Sequence, residues 1–121
     1  MADPIYADLD LHIFVCVSPG HYPAVVRRAV IDAVAASETS FFAPHNFTFG
    51  VPLRRAALEA AVQAVPGIKA VEDVEIRRRG FFDWQPLGWS YAVADSEMIR
   101  CANDRLHPER GSVDVYSEGG A

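Results

Sequence analysis

The sequence predicts an α+β fold: a mixed or antiparallel sheet of about four strands with two helices packed on one face, in the order β-α-α-β-β-β. Three observations carry that expectation. Apolar residues fall at every second position from Ile5 to Val17, which is the period of a strand. After Pro23 they recur at steps of three and four, the period of a helix. A second helical stretch, rich in alanine, ends at Pro66-Gly67 and gives way again to a strand pattern.

In the first strand Ile5, Ala7, Leu9, Leu11, Ile13, Val15 and Val17 form the core face, while Tyr6, Asp8, Asp10 and His12 begin the other. Phe14 and Cys16 then interrupt that polar set, so the second half of the strand is expected to be covered on both faces. Ser18-Pro19-Gly20 ends it. The first helix is expected over roughly Tyr22 to Ala36, with Val25, Val26, Ala29, Val30, Ala33 and Val34 as its apolar residues. Valine is a mediocre helix former, so packing must hold this helix. Phe41, Phe42, Phe47 and Phe49 follow in a stretch punctuated by Pro44, His45, Asn46 and Gly50, which reads as an ordered turn whose rings must be buried, either under this loop or beneath a neighbouring chain. Pro52 suits the first turn of the second helix, whose stripe is Leu58, Ala61, Val62 and Val65.

A second strand is expected from Ile68 to Arg79, with Ile68, Ala70, Val74 and Ile76 on one face. Val71 falls off register, which a bulge near Glu72-Asp73 explains. Residues Gly80 to Gly88 form a loop carrying Phe81, Phe82, Trp84 and Pro86. A weaker strand lies around Trp89 to Val93, a short segment holds Glu97, Met98 and Ile99, and a last strand spans Ser112 to Ser117. Gly119-Gly120 reads as a flexible end. With 121 residues, half of them apolar, and no interdomain linker or repeat, the chain is expected to be one domain.

The net charge of -5 argues against a general nucleic-acid surface, which needs a clustered positive field. No apolar run approaches the roughly 18–20 residues of a membrane span, and the start lacks a signal-peptide pattern, so synthesis in the cytoplasm is expected. Cys16 and Cys101 lack metal-binding or redox spacing and are expected to be free thiols. His12, His21, His45 and His107 show no H-x-x-x-H pairing, so neither a metal site nor a cofactor is expected. A Cys–His–Asp relay with Asp104 has no local signature. The acidic run Glu72, Asp73, Glu75 beside Arg77, Arg78 and Arg79 reads as a charge-balanced strand face.

The best candidate for function is a protein interface at Arg77, Arg78, Arg79, Phe81, Phe82, Trp84 and Trp89, because tryptophan, tyrosine and arginine dominate interface hot spots; the alternative is a loop folded onto the domain's own core. The same arginines and rings would also suit single-stranded nucleic acid, a reading opposed by the acidic chain around them.

The stretch Phe41-Phe42-Ala43-Pro44-His45-Asn46-Phe47-Thr48-Phe49-Gly50-Val51-Pro52-Leu53, followed by a helix ending Ala64-Val65-Pro66-Gly67, resembles the C-terminal region of phage baseplate J-like proteins. The closing Glu97-Met98-Ile99-Arg100, Asn103-Asp104, Pro108-Glu109, Gly111 and Gly119-Gly120 is similar to that family's ending. The likeness runs from Leu11 to Gly120, and its most specific part is the loop of Phe41, Phe42, Pro44, Asn46, Phe47, Phe49, Gly50 and Pro52. The stretch from Arg77 to Trp89 has no clear counterpart in the family pattern.

The resemblance implies a structural, non-enzymatic part of a contractile tail or related injection machine, located in the tail baseplate when assembled. Its implied partners are other baseplate wedge proteins and copies of itself. Family members usually carry further domains upstream, so this sequence corresponds to such a C-terminal region, excised or free-standing. A reading from another class is a small ferredoxin-like enzyme or ligand-binding domain with a cleft built on His12 or His45. It requires a histidine and a carboxylate converging within hydrogen-bond reach in a concave pocket.

Overall fold

The computed structural model describes residues 5–35, 40–42, 46–47, 50–78, 83–101, 103 and 111–119. The elements are β1 (Ile5–Val17), α1 (Pro23–Ala35), β2 (Leu53–Arg54), α2 (Arg55–Gln63), β3 (Ile68–Arg78), β4 (Gln85–Pro86), β5 (Ser90–Tyr91), β6 (Glu97–Arg100) and β7 (Ser112–Gly119). The fold is α+β, with a mixed five-stranded main sheet and a separate pair formed by β2 and β5.

Everything in the main sheet is organised around β1. The antiparallel strand β3 lies along one edge, carrying β4 outside it, and the other edge receives two strands in succession. Strand β6 runs parallel to Ile5–Asp8, and β7 runs parallel to Asp10–Val17. Arg100 stands beside Asp8 and Ser112 beside Asp10, so β6 and β7 act as one edge strand from which the chain departs and to which it returns. The alternating set Ala7 to Val17 is buried, as its period predicts, in one cluster with Val26, Val30 and Val34 of α1 and Leu58 and Val62 of α2. Helix α1 packs on β7, α2 on β3, and the helices touch each other.

Several expectations need correction. Pro52 does not open the second helix: Leu53 is buried and pairs with Tyr91, and α2 starts only at Arg55, whose N–H donates to the Trp89 carbonyl at 3.0 Å. A helix's first N–H groups need acceptors outside the helix, and here the loop before β5 supplies one. The bulge in β3 is present opposite Phe14/Val15, where Glu72 is the extra residue, but a second shift opposite Cys16/Val17 makes Lys69 extra as well. Two insertions move Ala70 to the face of Cys16 and put Ile68 and Val71 on the core face, opposite Val17 and Val15. The segment at Glu97 is a strand, and β7 extends through Gly119 rather than ending at Ser117.

In the Phe–Pro–Asn loop the described rings pack on one another, with Phe42 and Phe47 buried and stacked at 5.4 Å and Phe41 edge-on to both. Asn46 is exposed, and its Nδ2 donates to the carbonyls of Ser40 and Phe41 at 3.2 and 3.3 Å, tying the loop to itself. Gly50 adopts φ 73° and Pro52 is half-buried. Pro44 and Phe49 lie outside the described residues.

At the β6 end of the helix-side face, Arg78 donates to the Glu97 carboxylate, which also accepts from the Ala94 N–H at 3.0 Å. The hydrogen bond from Arg78, then that from Ala94, holds the Glu97 carboxyl below its ordinary range. The folded-state pKa therefore lies under the unfolded one. The stabilisation is fully present above the ordinary glutamate range and is lost as pH falls through the depressed value. Glu97→Gln is accordingly expected to lower the urea midpoint at neutral pH, and the gap is expected to narrow as pH falls below the ordinary glutamate range. A gap that keeps its size as pH falls would show that the ion pair does not contribute.

Candidate interaction surface

Consecutive residues of a strand point to opposite faces, so β1 carries two unlike surfaces. The face away from the helices is a grid built by register. Across it run the rows Arg100–Asp8, Arg77–Asp10–Ser112, Glu75–His12–Asp114, Asp73–Phe14–Tyr116 and Ala70–Cys16–Glu118. Charge and aromatic character thus come from four separate strands.

Asp10 is the most enclosed charged group of the grid, at 1% exposure. Its Oδ2 accepts from Arg77 at 2.9 and 3.3 Å and its Oδ1 from the Ser112 hydroxyl at 2.9 Å. Arg100 likewise grips Asp8 at 2.5 and 3.1 Å while its guanidinium lies 4.0 Å from the Tyr6 ring centroid. These charge-assisted bonds allow carboxylates to sit in a sheet without open solvation.

One row away, His12 is stacked on Trp84 at 3.6 Å and 15°, and the Arg77 guanidinium sits 4.7 Å from the same indole. Phe14 and Tyr116 stack beside them at 5.0 Å. His12 Nδ1 lies 3.7 Å from Glu75 and Nε2 lies 3.9 Å from Asp114, distances of ion-pair range and too long for hydrogen bonds. The ring therefore serves as part of a packed aromatic layer. The cleft reading asks more of His12 than this geometry provides, and His45 lies outside the described residues. Among the described residues no group of three or more His, Cys, Asp or Glu is arranged to hold a metal ion. The Cys101 thiol is pushed up, first by burial and then by the charges of Asp10 and Asp8, opposite to what a thiolate nucleophile requires.

The interface expected at Arg77 to Trp89 is not one surface. Arg77 and Trp84 join the open face, Arg78 points to the helix side and Glu97, and Trp89 projects elsewhere at 93% exposure. Alternation along β3 separates the two arginines. Arg79, Phe81 and Phe82 lie outside the described residues. Reading the chain locally missed Phe14, Tyr116 and the His12–Trp84 stack. Their strand periodicity was visible, but a partner more than seventy positions away was not.

No protein-family model matches this chain, and no curated protein matches it either. No helix among the described residues is long and apolar enough to cross a membrane.

Proposed function

We propose that the chain is a structural assembly module, a baseplate component of a phage tail or phage-tail-like contractile machine that works through protein–protein contacts in wedge assembly. The observation that carries this reading is the ordered run of motifs from Phe41-Phe42 through Phe47, Gly50 and Pro52 to Glu97, Asn103 and Gly111. The geometry is compatible with a structural use of those residues: Phe42 and Phe47 are core, Asn46 ties its own loop, and Asn103 accepts from the Val113 N–H at 3.1 Å. The partners are other wedge proteins and further copies of the chain, and the final location is the assembled tail baseplate.

Co-purification of the tagged chain from its native source tests the class. Tail or sheath components are expected, and a monomer that recovers none of them in cells producing tail particles would overturn the reading. Trp89 is the side chain to probe. Its carbonyl is fixed to the start of α2 while its ring stands in solvent, so an anchor is presented from a rigid point. Trp89→Ala is expected to weaken wedge binding by roughly tenfold or more with an unchanged melting temperature. Trp84→Ala is the poorer probe, because it also removes the stack on His12.

A further inference from the structure

Strand β7 has one edge on β1 and, among the described residues, nothing paired on the other. The N–H of Val113 is turned away from β1 and donates to Asn103 Oδ1. In a parallel ladder a residue sends its N–H and C=O to the same side, and alternate residues share that side. Val115 and Ser117 therefore also present their main-chain groups outward, beyond the point that Asn103 closes. The helix side of this segment is already covered: Val113 and Val115 are buried in the core. On the open face the same strand displays Asp114 at 65% exposure, Tyr116 at 47%, and an exposed Glu118.

We propose that the outer edge of β7 from Val115 to Ser117 accepts a basic extended segment of a protein partner as a further strand of the sheet. Main-chain bonds supply the pairing. Lysine or arginine at two positions four apart on the added strand faces Asp114 and Glu118, and the residue between them lies against Tyr116. Directly opposed unlike charges favour cross-strand pairing and like charges oppose it. That rule also speaks against a second copy of the chain: antiparallel self-pairing centred on Tyr116 sets Asp114 opposite Glu118 of the other copy at both ends. Acidic side chains on an otherwise open edge thus disfavour self-association while leaving a basic strand welcome. The surface deepens the assembly reading and rests on it only in taking a protein as the partner. Its test uses a synthetic peptide, so a negative peptide result leaves the co-purification test untouched.

The probe is a capped peptide of alternating valine and threonine with lysine at two positions four apart, compared with the same peptide carrying glutamate instead. Titration followed by amide NMR is expected to show the lysine peptide slowing hydrogen exchange at Val115 and Ser117, and the glutamate peptide doing nothing. Val115→Pro removes an outward N–H and is expected to abolish binding. The double substitution Asp114→Lys and Glu118→Lys, at exposed positions, is expected to weaken the lysine peptide roughly tenfold and to let the glutamate peptide bind. The proposal is overturned by failure of the lysine peptide to bind, by protection elsewhere than Val115 and Ser117, by binding indifferent to charge reversal, or by pairing of β7 with a second copy when no peptide is present.

Discussion

Gly111→Ala is expected to destabilise the fold by on the order of 3 kcal/mol or more, the largest effect of any single added methyl group considered for this chain. Gly111 adopts φ +93°, where a side chain is strained, and an added Cβ would run into the Leu9 carbonyl oxygen. It would also lie 3.2 Å from both the Arg100 carbonyl oxygen and the Cys101 Cα. All three are main-chain atoms at the place where β6 leaves the edge of β1 and β7 rejoins it, so no flexible side chain can yield. The conformational strain alone is about 1–2 kcal/mol, and Gly20→Ala isolates it: Gly20 has φ +88° with nothing within 4 Å of an added Cβ. Urea denaturation of the two variants separates the terms. Equal losses would show that the close approach at Gly111 is relieved by a small backbone shift and that the join between β6 and β7 is tolerant.

Arg77→Ala is expected to cost about 2 kcal/mol and to loosen the open face. Removing one partner of a fully buried ion pair costs about 3–5 kcal/mol, because the other charge stays in a poorly solvated place. Asp10 is such a charge, but Arg77 is itself 28% exposed and Asp10 keeps its bond from Ser112, which lowers the figure. The guanidinium also covers Trp84, so its loss exposes the indole and the His12 ring beneath it. Two readouts follow: a lower urea midpoint and a red-shifted Trp84 emission, measured with Trp89 replaced to remove its solvent-exposed signal. Adding Asp10→Asn removes the buried charge and is expected to restore part of the loss, a coupling visible in a double-mutant cycle. A cost below about 0.5 kcal/mol, the scale of an ordinary surface change, would mean that Asp10 is held without Arg77.

The two variants separate what was legible in the chain from what was not. The bounds of β1 and its core face follow from strict alternation, and α1 follows from its change of period to within a residue at its start. The start of α2 is not legible locally, because Pro52 satisfies a local rule, whereas pairing of Leu53 with Tyr91 and the acceptor offered by Trp89 are contacts across some thirty-five positions. The bulge at Glu72 turns Ala70 to the open face, and a second one at Lys69, which leaves no compositional mark, returns Ile68 to the core face.

The candidate site shows the same division. The sequence by itself determined that β1 has one apolar face and one that begins with Tyr6, Asp8, Asp10 and His12, that two helices follow it, and that the phenylalanine stretch is punctuated as a turn. Only the tertiary structure decided that Arg77 belongs to Asp10 and Trp84, that Arg78 belongs to Glu97, and that among the described residues no strand pairs with the outer edge of β7. The reason is one of range. Periodicity and turn chemistry act over a few neighbouring residues, while register sets which distant side chains meet, and it is chosen by the packing of the whole sheet against α1 and α2.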